Sequence, residues 1–309
     1  MSTSRRTRAA AAAAGIVADR MVGEPPVQPH PVVAFGRVMR ATERRLYADA
    51  RGPGMAHAAA GIGLGIAAGA TVRSTSVATY LAVAGRALDE AADAVARPLL
   101  AGDLEAARDL LPALVGREPA GLDAKEMARA VVESLAENTV DAVVAPALWA
   151  ALAGAPGALG YRAANTLDAM VGHHSARYER YGWASARLDD VANWVPARAT
   201  GALVALVRPR RAGAVWATVR SHASAHPSPN AGVAEAAFAA ALGLRLGGVN
   251  RYGERVELRP YLGDGRPAEP EDIAPAARLA RDVAMALAAL LAAGATVPWR
   301  PLIRRGMNG

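Results

Sequence analysis

Apolar positions gather into a few long runs, and the polar positions between them recur at helical spacing. The cleanest run, Ala56 to Val72, carries Gly61, Gly65 and Gly69 four apart, so all three share one helix face that a neighbouring helix can approach closely. The string Gly61-Ile62-Gly63-Leu64-Gly65-Ile66 lacks the last glycine of a dinucleotide-binding loop and follows no strand, so the spacing reads as helix packing. A second oily stretch, 74–84, leads into 85–111, where Arg86, Asp89, Glu90, Asp93 and Arg97 recur at helical spacing and predict a solvated amphipathic helix. At the start of the chain, Arg5-Arg6-Thr7-Arg8 and the alanines that follow resemble a signal peptide. Asp19 and Arg20 interrupt the apolar region too soon, which predicts a short, uncleaved, membrane-proximal helix.

Asp123-Ala124-Lys125-Glu126 has the arrangement of a capping box, so a helix should start near Ala124. The apolar segment 142–160 is long enough in total to cross a bilayer, but Ala153-Gly154-Ala155-Pro156-Gly157 breaks it in the middle. Its first half reaches only about 18 Å against a hydrocarbon core of about 30 Å. The pattern therefore predicts a helical hairpin or re-entrant pair that returns Asn165 and Asp168 to the side of Glu137 and Asp141. Further on come a weaker apolar stretch at 199–219 and an alanine-rich helix from Asn230 through Arg245, ending at Gly247-Gly248. A polar, turn-rich segment at 251–272 precedes a final apolar run at 283–298, with Arg300, Arg304 and Arg305 beyond it.

These elements predict an all-α, polytopic helical integral membrane protein, one domain over residues 1–309. Its membrane segments fall near 56–72, 74–84, 142–160 (interrupted), 199–219 and 283–298, four or five in all, joined by polar loops. Composition agrees: 52% of residues are hydrophobic, 20% are charged, and mean hydropathy is +0.13, oilier than most soluble enzymes. The chain has no cysteine, which excludes disulfides, thiolate nucleophiles and cysteine-held metal centres.

The net charge of +7 is almost entirely arginine, since Lys125 is the only lysine. Nucleic acid is set aside as a partner, because aromatics are 5% and no arginine-rich helix has interleaved stacking residues. Arginine beside apolar spans points instead to the cytoplasmic face of a membrane or to a phosphate-bearing substrate. Lys125 lacks the glycines and hydroxyl of a P-loop, so any nucleotide site is of another kind. Its place on a capped amphipathic helix argues against a Schiff-base lysine.

Candidate chemistry concentrates between Glu133 and Arg198, where acids, amides and arginines crowd beside oily sequence. Glu133, Glu137 and Asp141 follow at four-residue intervals, well past the first helical turn, and form a carboxylate stripe. Such a stripe suits a magnesium ion bridging to nucleotide phosphates. It equally suits a solvated face partnered by arginines, and spacing alone weights the two readings alike. His222 and His226 are four apart, but Pro227 disfavours a helix there and no zinc-protease glutamate follows.

Several strings, in order, resemble the adenosylcobinamide-phosphate synthases, the CobD/CbiB family of cobalamin biosynthesis. They are Gly23-Glu24-Pro25-Pro26 with His30-Pro31-Val32-Val33, Glu133-Ser134-Leu135-Ala136-Glu137-Asn138-Thr139-Val140-Asp141, and Asn165-Thr166-Leu167-Asp168. To these are added Gly182 to Asp190, Pro196-Ala197-Arg198, and His226-Pro227-Ser228-Pro229-Asn230-Ala231-Gly232. Together they cover most of residues 19–267. The chain departs from the family pattern at Glu24, Ala142 and the pair His173-His174, where aspartate, glycine and an aromatic-plus-basic pair are usual.

The resemblance implies a multi-pass enzyme of the cell membrane, with its site facing the cytoplasm. Such an enzyme joins adenosylcobyric acid to (R)-1-amino-2-propanol O-2-phosphate at the expense of ATP with Mg2+. On that expectation, Glu137, Asp141, Asp168, Asp189 and Asp190 are the catalytic candidates, and Glu133, Glu137 and Asp141 the metal candidates. Arg177, Arg187 and Arg198 would bind phosphate or carboxylate, while Asn138, Asn165, His226, Ser228 and Asn230 would orient substrates. Arg187 with Asp190, three apart, could instead satisfy each other. The expected partners are the corrinoid, the amino alcohol phosphate and membrane lipid, with self-association left open. A non-catalytic membrane sensor of the AmpE type on the same scaffold is the alternative, and a permease a weaker one.

Overall fold

The computed structural model describes residues 3–25, 27–116, 119–173, 175–252 and 255–296. Pro26, His174, Arg300, Arg304 and Arg305 from the reading above lie outside them. Among the described residues, twelve α-helices dominate: α1 (Thr3–Val22), α2 (Pro31–Leu46), α3 (Arg51–Val72), α4 (Thr75–Ala82), α5 (Gly85–Ala101), α6 (Leu104–Leu110), α7 (Ala124–Thr139), α8 (Ala145–Leu167), α9 (Trp183–Val207), α10 (Ala212–His222), α11 (Ala231–Leu242) and α12 (Ile273–Thr296). A small sheet, order β2-β1-β3, is built from β1 (Leu244–Tyr252), β2 (Arg255–Leu262) and β3 (Arg266–Pro267). Among the described residues, three helical stretches are long and apolar enough to cross a membrane: Arg51–Val72, Ala124–Gly172 and Pro270–Thr296.

The predicted break is present. α7 starts on its capping box, with Asp123 accepting from Glu126 N and Glu126 reaching back to Asp123 N. The chain continues through α8 to Gly154, whose φ of 71° and ψ of −154° are open to glycine and strained for other residues. There the helix reverses. Asp141 and Asp168 line one cavity, which shows that the two legs return side by side, because a straight helix would separate those residues by about 40 Å. The glycine face of α3 packs antiparallel along the returning leg. A β-carbon at Gly61, Gly65 or Gly69 would meet Leu167, Ala163 with Leu159, or Ala155 with Pro156, at 2.5–2.6 Å.

Several expectations need correction. The N-terminal helix is not a short surface element but 20 residues long, with Ala9, Ala12, Ala13 and Ile16 buried. The charges that end its apolar run are anchors: Arg20 pairs with Asp89 at 2.6 Å, and Asp19 accepts from Arg86 N. Stretch 74–84 does not span, because α4 has only eight residues and lies against α1 and α8. Stretch 199–219 breaks at a 3-10 turn, Pro209–Arg211, where Arg208 bonds Asp282 at 2.8 Å. The amphipathic α5 is solvated on one side only, since Leu88, Ala92, Val95 and Leu99 are core and Asp89 is buried. The final span starts earlier than Val283, at Ile273, and residues 297–298 lie outside the described ones.

The alanine-rich helix ends at Leu242 rather than near Gly247, because Gly243 adopts the left-handed conformation that closes it. Leu244 and Leu246 then point inward while Arg245 is exposed, the period-two pattern of a strand. α11 is apolar apart from Glu235 and buried from Ala231 to Ala241, as a central core helix must be. α7 joins two packed regions. Ala136, Val140 and Val143 meet α1, α9, α11 and α12, while Met127 to Leu135 meet α5, α6 and the sheet.

The glycine seam supplies a direct test. Gly65→Leu should force α3 off the hairpin and lower the melting temperature in detergent by several degrees, about 1–3 kcal/mol. Gly63→Leu, where nothing lies within 4 Å, should melt like the unaltered chain.

Candidate functional site

Each leg of the hairpin contains one π-helical turn, Val140–Val144 in the first and Asp168–Gly172 in the second. Each holds an acid, Asp141 or Asp168. The two turns begin inside related tetrapeptides, Asn138-Thr139-Val140-Asp141 and Asn165-Thr166-Leu167-Asp168. In both, the threonine hydroxyl donates to the carbonyl four residues back, Thr139 to Leu135 at 2.6 Å and Thr166 to Arg162 at 2.7 Å. Such back-bonding loosens the helical ladder and fits the widened turn that comes next.

The two acids open onto a cavity of about 820 Å³. Glu137, Asp141, Asp168, Asp189 and Asp190 form its acidic wall, and His226, Ser228 and Arg259 lie among its other lining residues, with His173 also at its edge. The acids are held by amides. Asn165 Nδ2 donates to Asp189 at 3.3 Å and Asn193 Nδ2 at 2.9 Å, while Tyr161 Oη donates to Asn193 Oδ1 at 2.8 Å. Asn230, in a recess shared with Glu137, Asp141, Asp189 and Ser228, donates to the Asp190 carbonyl. Ser228 Oγ accepts from the amides of Asn230 and Ala231 and so caps the start of α11, which ends at the cavity.

Other expected residues stand elsewhere. Glu133 accepts from Gly247 N at 2.8 Å and faces Arg129, so the stripe divides after Glu133. The metal set Glu133, Glu137 and Asp141 therefore does not form. Among the described residues, no group of three histidine, aspartate or glutamate side chains is placed to hold a metal ion. The physical reason is the β1 backbone, which claims Glu133, and the π turn, which changes the phase of Asp141. Asn138 turns back to Ser134. Arg177 lies over the Tyr47 ring at 3.9 Å and bonds Glu43, Arg187 pairs with Asp190 at 3.8 Å, and Arg198 lies over Trp194 and bonds Asn230. None of these three arginines lines the cavity.

Two residues escaped the sequence reading, Arg259 and Glu235. Arg259 sits on β2, in a segment that read as turns. Glu235 is the one charge in the oily helix α11, and a lone carboxylate in such surroundings was a usable signal. His226 Nε2 lies 3.5 Å from Glu235 Oε1 and 3.3 Å from Arg259 Nη1.

Burial pushes the Asp189 carboxyl up to about 6, with repulsion from Asp190 and Glu137 adding to it and the bonds from Asn165 and Asn193 opposing it. A raised value favours the protonated form in the folded chain. The corresponding stability is complete below the unfolded value near pH 4 and is lost as pH rises through about 6. Without divalent cations, melting temperature should therefore fall across that window. Asp189→Asn should flatten the fall and stabilise the chain at neutral pH by about 1–2 kcal/mol, read from melting curves at stepped pH.

The model of the CobD/Cbib protein family matches residues 12–280. A cobalamin biosynthesis protein CobD of Mycobacterium tuberculosis (strain H37Rv) is 46% identical over 300 residues, covering 93% of this chain and 95% of that one. Proteins of the same name from Geobacter metallireducens and Rhodobacter capsulatus are 43% identical over 278 residues and 51% over 191. The first pairing covers 83% of this chain and 86% of the relative, the second 60% of each. No solved structure matches the chain. The matched span takes in both legs of the hairpin, the acidic wall of the cavity and the loop carrying His226, and the chain belongs to the CobD/CbiB family.

Proposed function

We propose that this cobalamin biosynthesis protein is an adenosylcobinamide-phosphate synthase. It would join adenosylcobyric acid to (R)-1-amino-2-propanol O-2-phosphate through an amide bond, with ATP consumed. The observation that carries the reading is one cavity with five carboxylates on its helical wall and an arginine, a histidine and a helix N-terminus also on its lining. Five acids gathered there are unfavourable by themselves and suit cationic or amine ligands, while the other groups suit phosphate oxygens.

The chemistry follows from the substrates. A carboxylate is a poor electrophile; phosphoryl transfer from ATP makes it an acyl phosphate, the amine attacks the carbonyl carbon, and inorganic phosphate leaves. The attacking amine must lose a proton. Asp141 and Asp189, braced by Asn165 and Asn193, are the acceptors this wall offers. Glu137 and Asp141 would hold a magnesium ion, which would neutralise phosphate charge. A cavity of this volume holds about one drug-sized ligand, so the bulk of the corrinoid rests at its mouth and only the carboxylate-bearing arm enters. Use of ATP puts the mouth on the cytoplasmic side of the cell membrane.

The test is turnover by the detergent-purified chain with magnesium, ATP, adenosylcobyric acid and the aminopropanol phosphate. The expected result is the amide product with one ADP per product. Asp141→Asn should lower kcat at least about a hundredfold while the protein stays folded. A folded chain that binds neither ATP nor corrinoid would refute the ligase and favour a membrane sensor.

A further inference from the structure

A second cavity, of about 100 Å³, lies beside the returning leg of the hairpin, where α2, α3 and α4 meet it. It shares no lining residue with the acidic cavity. Apart from Arg162 and Thr166 its lining is apolar, with Val32 and Phe35 from α2, Ala68 from α3 and Leu81 from α4. Two of its walls, α3 and the hairpin, belong to membrane-length stretches. Val33, Leu64 and Val77, on the three helices that close it, are exposed apolar side chains, the surface expected toward lipid.

Arg162 is the single charge of this lining. An arginine in a membrane-length helix ordinarily meets an acid or a backbone carbonyl. Here Nε is fully buried and has no hydrogen-bond partner, and among the described residues no carboxylate forms an ion pair with the guanidinium. The acids whose charge it feels, Glu24 and Asp141, are engaged elsewhere. Glu24 faces His30 Nε2 at 3.3 Å, and Asp141 opens onto the acidic cavity. A buried cation without a counter-ion is costly, and an anion entering the pocket offsets that cost.

The walls define the anion. One guanidinium set in apolar surroundings suits a singly charged headgroup with an apolar tail, whereas a nucleotide brings several charges and no tail. The planar fork of arginine matches two oxygens of one phosphodiester. Arg162 stands six residues before Asp168, about 9 Å along the leg, so measured from the acidic cavity it lies short of the middle of a bilayer core of about 30 Å. Headgroups and water follow a charge to such a depth by local thinning.

We propose that this pocket binds an anionic phospholipid of the surrounding membrane, with its phosphodiester on Arg162 and the start of an acyl chain against Phe35, Ala68 and Leu81. The plainer role for Arg162 is to balance Glu24 and Asp141 from a distance, and that role gives no preference among added lipids.

The test is native mass spectrometry of the full chain, delipidated in neutral detergent, with dioleoyl phosphatidylglycerol, zwitterionic dioleoyl phosphatidylcholine, oleate and inorganic phosphate as probes. The unaltered chain should bind phosphatidylglycerol about tenfold more tightly than phosphatidylcholine and should not retain inorganic phosphate. Arg162→Gln should bring phosphatidylglycerol down to the phosphatidylcholine level. Arg210→Gln, which removes an exposed arginine outside the pocket, should keep the preference. Ala68→Phe, which fills the cavity and leaves Arg162 in place, should weaken phosphatidylglycerol and decides the matter if Arg162→Gln does not fold. Equal binding of the two phospholipids by the unaltered chain, or a preference that persists in folded Arg162→Gln or Ala68→Phe, would overturn the proposal. Oleate bound in preference to phosphatidylglycerol, and lost in Arg162→Gln, would overturn the phospholipid as occupant. No arm reads turnover, so each result stands apart from the ligase reading.

Discussion

Between Asp141 and Gly154 the first leg of the hairpin has only about 18 Å of apolar helix, too little to cross a bilayer core, and the reversal at Gly154 resolves that mismatch. Everything at the site depends on it. The returning leg brings Asn165 into a hydrogen bond with Asp189, and puts Asp168 on the same cavity as Asp141. It also offers α3 a surface of small residues, so Gly61, Gly65 and Gly69 can lock the hairpin from outside. At the tip, Arg8 donates to the Leu152 carbonyl at 3.2 Å and satisfies part of the backbone that the break leaves open.

Much of this was legible because it rests on local chemistry. Asp123 with Glu126 states a helix start, glycines four apart state a close contact, and a Gly-Ala-Pro-Gly break in a short apolar run states a reversal. The acids and amides of the site were legible as a group too, since apolar packing gives no reason to crowd them. What remained hidden depends on partners far along the chain. Nothing local to Arg177 announces that Tyr47 and Glu43, more than a hundred residues earlier, occupy it. Glu133 looks like the first member of a stripe until β1 delivers Gly247 N to it.

The sheet was missed for a related reason. Its first strand is broken by Gly247 and Gly248, and the alternation of Leu244, Arg245 and Leu246 is too short to stand out after an alanine-rich helix. Yet that strand pair carries Arg259 to the cavity and closes the space over α7 through the bonds from Arg129 to the carbonyls of Gly247 and Val249. A minor element of the fold thus contributes positive charge to the site, while the membrane-type helices contribute the acids.

The π turns have a further meaning for the hairpin legs. Each widens the helix by one residue, which rotates everything beyond it by about 100° relative to an uninterrupted helix. A single leg therefore shows one face below the turn and a different face above it. Below Asp141 the leg turns Glu137 to the cavity, and above it the leg turns Val143, Val144 and Ala147 to the packed interior. One leg thereby serves two environments, and the legs can be polar at their feet and oily at their crown.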